Sequence, residues 1–334
     1  MIILGICFLS DASACVLKDG KILAAVSEER LNRKKLWNGI PKLAIDEVIK
    51  LSGIKLEQID LIATHGVKEA KLDDITFQRK FDLINQSSLK KIQKKFQVKE
   101  LQSRLEHERL VIEERTPRYI SEIKNLFPNT KIETFDHHEC HASVAYFGSE
   151  YNEAFTLTAD GWGEDASATL WKCKDNIMSK ISTTPTIDSL GYFYGSITKY
   201  LNFTPHKHEG KVLGLAAYID KPKSLSIIET MISFDKEKLQ FLGLPEKGIY
   251  LPKYDNKNLE VLRNNFSRED VASSAQKVLE KTVCGLVSEI KGITKQITFN
   301  LCVAGGIFAN VKLNQKLSEL KEIKNLFVFP NMGD

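Results

Sequence analysis

The sequence predicts an α/β protein built from two related halves, each a mixed sheet flanked by helices. Apolar strands joined by short turns begin both halves, and segments with helical periodicity follow them. In addition, LSDASACVLKDG near the amino terminus is echoed by TADGWGEDASATLWKC in the second half. Both segments place an aspartate and small polar residues in a turn between apolar strands, which favours a duplicated fold over an array of short repeats. We expect the first half at residues 1–130 and the second at residues 131–334.

Composition indicates a globular chain. The 334 residues suffice for two ordinary domains, and 43% hydrophobic with 27% charged residues is normal for a packed core. Lys+Arg 47 against Asp+Glu 43 is too balanced to argue for a nucleic-acid or membrane partner. The six cysteines are scattered without a C-x-x-C pair, which predicts reduced thiols and a cytoplasmic protein. The apolar amino terminus lacks a basic region, so we expect no signal peptide.

The first half begins with a predicted β-hairpin whose turn is Asp19-Gly20. A helix should follow Pro41 and end at Gly53, before the buried strand IDLIATHG. From about 71–127 the sequence is rich in Lys, Glu, Gln and Arg with apolar residues at helical intervals, which predicts a helical insertion. Such an insertion is either a solvated helical face or helix pair, or a surface for a partner or a second copy of the chain.

The second half restarts the pattern of strands and helices. KIETF predicts a strand, a helix follows from His138 to Tyr146, and EAFTLTADGWGEDASATLWKC predicts two strands joined by a Gly-rich turn. Further on, QITFNLCVAGGIFANVKLNQKL reads as strand, Gly-Gly turn and helix, and NLFVFP predicts a last strand.

The segment FDHHECHASVAYF carries the sharpest chemical pattern. His137 and His141 share one helical face, a spacing suited to two ligands of one metal ion, and neutral imidazole suits iron, zinc or nickel. A carboxylate elsewhere would complete a three-ligand site. The alternative is a pair of core or capping histidines. His138 points off that face and is expected to be structural.

Two glycine-rich turns could approach an anion. Asp160 stands at a predicted strand end before Gly161 and Gly163, where backbone N–H groups can face an anion and the carboxylate can orient a cation or hydroxyl. The alternative is a tight hairpin without a ligand. The second turn has Gly305 and Gly306 between a strand and a helix that carries Asn310, and a nucleotide phosphate or ribose could approach the backbone there. The alternative is a simple turn that joins the strand to the helix.

Two basic segments are weaker candidates. In HKHEGKVLGLAAY, Glu209 and Lys211 flank Gly210 ahead of an apolar helix, and a lysine at a helix start can bind phosphate. In SEERLNRKKLWNGIP, Lys35 belongs to a basic cluster that can recognise phosphate or carboxylate. Exposed loop residues and a solvated charged face are the respective alternatives.

The order of these motifs is more specific than any one of them. The succession SDASACVLKDG, EERLNRKK, HHECHASVAYF, DGWGEDASATLW, LGYFYGSITKYLNF, EGKVLGLAAY and AGGIFANVKLN resembles, along nearly the whole chain, the N-terminal domain of the carbamoyltransferase family of antibiotic and nodulation-factor pathways. That domain is similar to the tRNA threonylcarbamoyl-adenosine modification protein. The resemblance implies the actin-like ATPase (ribonuclease H-like) fold, in which two related α/β halves clasp a nucleotide.

The resemblance also implies a reaction. In the family, carbamoyl phosphate and ATP form carbamoyladenylate on a separate YrdC-like C-terminal domain, and the N-terminal domain transfers the carbamoyl group to an acceptor hydroxyl or amine. The two histidines and an aspartate of a late glycine–aspartate motif hold an iron-like metal, and those positions fall on His137, His141 and Asp334.

Other roles follow from the same resemblance. Gly305, Gly306 and Asn310 would carry the nucleotide, which is ATP, AMP or carbamoyladenylate. Lys35 and Lys211 are candidates for phosphate or carbamoyl contacts. Asp11 is the candidate for orienting or deprotonating the acceptor.

The sequence departs from the family pattern at three positions. Ser10 stands where a histidine usually precedes the aspartate, Leu36 where a histidine often follows the lysines, and Ile219 where a glycine is common. Because the missing histidine is a candidate proton acceptor, the protein either uses Asp11 alone, uses a different acceptor, or has lost turnover.

The sequence therefore predicts a cytoplasmic carbamoyltransferase-type domain that binds a divalent metal and an adenine nucleotide and acts on a small-molecule acceptor. One alternative is a catalytically decayed nucleotide- and metal-binding interaction module, and another is a tRNA threonylcarbamoyl-modifying enzyme. If the helical insertion is a contact surface rather than a solvated face, a homodimer through it is one assembly that it could form. Because the motif order stops at Asp334 without a YrdC-like domain, we expect a truncated domain with a nucleotide site open on one side.

Overall fold

The structure is a computed structural model that describes residues 1–66, 74–247, 259, 262, 265–294 and 297–333. Its strands are β1 (Ile2–Cys7), β2 (Ser13–Lys18), β3 (Lys21–Ser27), β4 (Leu61–His65), β5 (Lys131–Phe135), β6 (Glu153–Gly163), β7 (Ala166–Lys174), β8 (Ile177–Pro185), β9 (Ile232–Asp235), β10 (Gln240–Gly243), β11 (Phe299–Ala304) and β12 (Ile323–Val328). Its α-helices are α1 (Glu28–Asn32), α2 (Lys42–Ser52), α3 (Asp74–Gln86), α4 (Lys91–Leu110), α5 (Thr116–Leu126), α6 (His137–Gly148), α7 (Leu190–Tyr200), α8 (Glu209–Ala216), α9 (Leu225–Ile228), α10 (Arg268–Thr294) and α11 (Val311–Ser318). A π-helical turn at Val111–Arg115 joins α4 to α5.

The two five-stranded sheets have the same topology. The first has the order β3-β2-β1-β4-β5 and the second β8-β7-β6-β11-β12. In each, the first three strands of the half are antiparallel, and the next two lie parallel to the first. This identity of strand order and direction confirms the predicted duplication of a mixed-sheet α/β unit.

The chain divides into two compact units. One comprises Met1–Leu72, Glu108–Cys140 and Gly333, and the other comprises Asp73–His107 and His141–Met332, in each case only the residues that the structure describes. The first unit includes β5, which pairs with β4 in parallel and so extends the first sheet.

Each unit has its own apolar core. In the first, Leu4, Ile6 and Ile62 of the sheet pack with Ala44 and Val48 of α2. In the second, one face of the sheet packs against helices α7, α10 and α11 through a cluster of buried residues that includes Leu157, Leu170, Ile197, Val278, Leu286, Val303 and Leu313. The other face packs against α6 through Ala142, Ala145, Tyr146, Trp171 and Cys302.

The predicted insertion is helical in the described residues, where it forms α3, α4 and α5. Phe77 and Ile84 of α3 and Leu101 of α4 are buried together with Ile187 of the second unit. Ile75 and Ile92 are exposed. The α3–α4 pair is thus a packed part of the second unit that keeps one exposed face.

All six cysteines are free thiols. Burial raises the pKa of Cys284 and of Cys302 to about 11, so these two thiols are protonated at neutral pH and are poor metal ligands or nucleophiles. Within the described ranges, no helix combines the length and the hydropathy that crossing a bilayer requires.

Candidate functional site

Helix α6 holds the two predicted ligand histidines. The helix begins after Asp136, whose Oδ1 accepts the Glu139 N–H at 2.9 Å in the manner of an N-cap. His137 and His141 then lie one helical turn apart on the same face, and they are only 4% and 6% exposed. The helix therefore fixes the separation of the two imidazoles.

Asp160 lies beside His141. It stands where strand β6 leaves its regular pairing with β7, between Ala159 and Gly163, and it is 6% exposed. Its Oδ2 is 3.4 Å from His141 Nε2, and ligand atoms of His137, His141 and Asp160 all lie within 4.8 Å of one another.

This donor set fits a divalent metal ion. Ligand atoms bound to one ion at bond lengths of about 2.1 Å lie about 3–3.5 Å apart, a range that includes the His141–Asp160 separation. Two imidazoles and one carboxylate suit iron or zinc. Asp160, which the sequence suggested as a catalytic or orienting group, is therefore also a candidate ligand.

Ser189 holds the backbone of Asp160. Its Oγ donates to the Gly161 carbonyl oxygen at 2.7 Å, lies 3.2 Å from that of Asp160, and accepts the Tyr192 N–H at 3.0 Å as the N-cap of α7. Gly191 permits this approach, because a Cβ there would lie 2.4 Å from the Asp160 carbonyl oxygen. The start of α7 thus packs directly on the backbone that carries the carboxylate.

Gly305 lies at the same sheet edge as Asp160. Strands β6 and β11 are parallel, with Thr158 opposite Ala304, so both turns leave the carboxyl end of the sheet, where ligands bind in open α/β sheets. Gly305 has φ +100°, and a Cβ there would lie 2.5 Å from the Ala159 carbonyl oxygen. Gly306 begins a 3-10 turn that leads to Asn310. Glycine at 305 is thus required both by the backbone conformation and by the close strand packing.

Asn310 is engaged within the protein. As the N-cap of α11 its Oδ1 accepts the Leu313 N–H at 3.0 Å, and its amide exchanges two hydrogen bonds with Gln276, at 2.8 and 3.1 Å. The Tyr194 hydroxyl donates to Gln276 Oε1 at 2.9 Å, and burial raises the pKa of Tyr194. The side chain predicted to carry a nucleotide therefore has a structural role in this arrangement.

The remaining predicted residues are spread over both units. Asp11 follows β1 with φ 66°, and its loop is joined to that of exposed Lys35 by a hydrogen bond from the Ala12 N–H to the Trp37 carbonyl. In the second unit, Lys211 is exposed and its ammonium lies over the Phe203 ring.

The last two predicted residues are Gly163 and Asp334. Gly163 pairs with Ala166 at the end of the β6–β7 hairpin, a contact that a tight hairpin without a ligand would also make. Asp334, the third ligand that the family resemblance implied, lies outside the described residues.

Sequence reasoning missed two residues near these groups. His65 ends strand β4 and is buried, with its ring tilted at 44° to that of Phe8 and edge-on to that of His137. Ser189 precedes the apolar helical run LGYFYG, and a serine before such a run is an N-cap signal that could have identified it. No comparable signal marks His65.

The fold is the actin-like α/β fold. It is shared with component A of (R)-2-hydroxyglutaryl-CoA dehydratase from Acidaminococcus fermentans, at a TM-score of 0.51 and 12% identity over 99% of this chain and 93% of that chain. HypF from T. kodakarensis matches at a TM-score of 0.50 and 11% identity, over 98% of this chain and 45% of that chain. The actin-like expectation is confirmed.

Sequence comparison then identifies the family. The chain belongs to the family described as carbamoyltransferase N-terminus, whose model matches residues 2–334, as the motif order predicted. The nodulation protein NolNO of Sinorhizobium fredii is 30% identical over 343 residues, which cover 98% of this chain and 45% of that protein. The protein MJ1051 of Methanocaldococcus jannaschii is 31% identical over 336 residues, 99% of this chain and 55% of that protein. This chain spans about half the length of these relatives.

Proposed function

We propose that this chain binds carbamoyladenylate and a divalent metal ion and transfers the carbamoyl group to a hydroxyl or amine of a small-molecule acceptor. The observation that carries the proposal is the buried cluster of His137, His141 and Asp160, in a chain that belongs to the carbamoyltransferase N-terminal family.

In the proposed reaction the acceptor oxygen or nitrogen attacks the carbamoyl carbon. The bond between that carbon and the AMP phosphate oxygen breaks, AMP leaves as an anion, and the acceptor loses its proton to a carboxylate, for which Asp11 is the candidate. When bound, the metal supplies positive charge that stabilises the departing phosphate. His137, His141 and Asp160 would hold it, with Asp334 as a further candidate ligand.

The protein's own residues support this chemistry. The two imidazoles are buried, which keeps water from competing for their nitrogens. Ser189 holds the Asp160 backbone, so the carboxylate is oriented before a ligand arrives. The edge at Gly305 and Gly306 offers backbone without side chains to the phosphate or ribose of the nucleotide, and Lys35 and Lys211 are candidates for contacts with its charged groups.

Metal analysis tests the site. Purified wild-type protein should retain iron or another divalent metal, and the His137→Ala/His141→Ala variant should lose most of it. The His206→Ala/His208→Ala variant changes two histidines outside the cluster and should retain the metal. Equal metal content in all three proteins would refute the assignment.

Product formation tests the transfer. Wild-type protein supplied with carbamoyladenylate, or with a YrdC-like domain, ATP and carbamoyl phosphate, should carbamoylate at least one member of a panel of hydroxyl and amine acceptors. Asp11→Asn should lower the rate while metal content stays unchanged. Loss of the metal in Asp11→Asn would contradict the separate role assigned to Asp11.

A second function is favoured by one observation, the serine at position 10 in place of the family's usual histidine. In that case the chain is a nucleotide- and metal-binding interaction module without turnover. Calorimetric titration with AMP distinguishes the two, since AMP binding with metal present but no product from any acceptor supports the module.

A further inference from the structure

Lys80 is an unusual lysine within the helical insertion. It lies on α3, in a charged segment, yet it is only 4% exposed. Its Nζ is 2.7 Å from Asp188 Oδ1 and donates to the Gly243 carbonyl oxygen, also at 2.7 Å. A buried ammonium is seldom found without such partners, so α3 is tied to one specific point of the second unit.

Asp188 completes this junction. It is 3% exposed, and its Oδ1 also accepts the Gly243 N–H at 2.6 Å. Burial raises the pKa of Asp188, and the adjacent Lys80 ammonium opposes that shift. Replacing a buried ion pair by apolar packing is often neutral or stabilising, so stability alone does not account for this pair.

The space beside the pair is small. The adjoining cavity, lined in part by Ile187, Asp188 and Phe193, has a volume of about 10 Å³. A cavity of that size holds no more than one water molecule.

The junction is adjacent in sequence to the contact that holds Asp160. Asp188 ends the 3-10 turn Thr186–Asp188, and the next residue is Ser189, which bonds the backbone of Asp160 and Gly161. A displacement of Asp188 therefore moves the start of α7, and with it the backbone whose carboxylate lies 3.4 Å from His141. Every link in this path lies within the second unit.

We propose that Lys80 is a positioning residue, through which the helical insertion holds Asp188 and Ser189 against Asp160 and so sets the Asp160 carboxylate for ligand binding. The metal-binding part of this inference rests on the proposed function, whereas the positioning of the backbone does not. It gives the insertion a role in the site, in addition to the packing of its apolar residues.

The test compares two variants with a matched control. Lys80→Met removes the ammonium and leaves a buried carboxylate, whereas Lys80→Met/Asp188→Asn removes both charges and is the variant expected to keep its fold. Lys281→Met breaks an ion pair with Glu229 at 2.9 Å on the exposed surface of the same unit and is the control.

Two measurements are made on each protein. Amide hydrogen exchange is followed in peptides that contain Tyr192 and Gly161. Affinity for Co²⁺ alone is measured from its visible absorption, which responds to the ligand set. We expect the double variant to exchange about tenfold faster at the Tyr192 amide and to bind Co²⁺ about tenfold more weakly, with the thermal midpoint close to that of the wild type, as for residues that support metal ligands.

The outcomes separate the two proposals. Unchanged exchange at Tyr192 in the folded double variant overturns the positioning role, whatever happens to Co²⁺. A double variant that does not fold overturns it as well, because the pair is then required for folding in general. If wild-type protein binds no Co²⁺, the proposed metal site fails, and faster exchange in the double variant still supports the positioning of the backbone.

Discussion

Replacing Gly191 by alanine tests the packing of α7 on the candidate site. The new Cβ would lie 2.4 Å from the Asp160 carbonyl oxygen and 2.5 Å from the Gly161 Cα, both of them backbone atoms. A flexible side chain could rotate away from such a contact, but these backbone atoms, which Ser189 also bonds, cannot. The helix or the β6 backbone must therefore shift.

The size of the effect follows from two opposing terms. Overpacking of a core costs about 1–3 kcal/mol, and fixed backbone neighbours place Gly191→Ala near the upper end. Alanine returns at most about 1 kcal/mol through its higher helix propensity. The net loss is about 2 kcal/mol, which corresponds to a thermal midpoint lower by about 4–8 °C for a unit of this size.

Gly214 provides the matched control. It also lies inside a helix, α8, but a Cβ there meets nothing within 4 Å. Gly214→Ala should therefore raise the midpoint by roughly 1–4 °C, since it gains helix propensity without a clash. Thermal denaturation followed by far-UV circular dichroism measures both variants. A midpoint for Gly191→Ala at or above that of the wild type would refute the close packing of α7 on Asp160.

Two further predictions concern hydrogen-bonded side chains of the second unit. Lys291 Nζ donates to Glu322 Oε1 at 2.8 Å, and this hydrogen bond lowers the pKa of the Glu322 carboxyl in the folded protein. The ion pair therefore stabilises the fold at pH values above the unfolded carboxyl pKa of about 4.3. That stabilisation is lost as the pH falls through the lower pKa of the folded state. Urea denaturation at pH 7 and pH 3 should then show a smaller loss of stability in Glu322→Gln than in the wild type; an equal loss would contradict the ion pair's role. Asn310→Ala removes the N-cap of α11 and a partner of Gln276, so we expect a loss of about 2 kcal/mol in urea denaturation, with a smaller loss in Asn310→Asp, which keeps the cap. Equal losses in the two variants would show that the cap contributes nothing.

Much of the fold could be predicted because local sequence patterns indicate its strands and helices. Alternating and continuous apolar runs give the strands, and the repeated pairing of an aspartate with a hairpin reveals the duplication. The division of the insertion between the two units could not be predicted in this way. It depends on which helical faces find apolar partners, as Phe77 and Leu101 do with Ile187, far away in the sequence.

The part of the candidate site that lies on a single helix could be predicted from the sequence. The spacing of His137 and His141 is fixed by a single helix, so the sequence indicates their shared face. The approach of Asp160 depends on an irregular register between β6 and β7, which no local pattern encodes. The burial of Lys80 could not be predicted either, because a lysine in a charged helix is typically exposed. Its burial depends on Asp188 and Gly243, which are distant in the sequence.

Each half carries an aspartate near the end of its central strand, and the two aspartates have different neighbours. Asp11 follows the central strand of the first sheet and Asp160 lies near the end of the central strand of the second, so the two occupy related places before the hairpin of each half. The loop of Asp11 is joined, by the hydrogen bond from the Ala12 N–H to the Trp37 carbonyl, to a loop that carries the exposed Lys35. Asp160 instead faces the imidazole of His141, an environment suited to sharing a metal ion. Because their neighbours differ, we propose Asp11 for the acceptor proton and Asp160 for metal ligation.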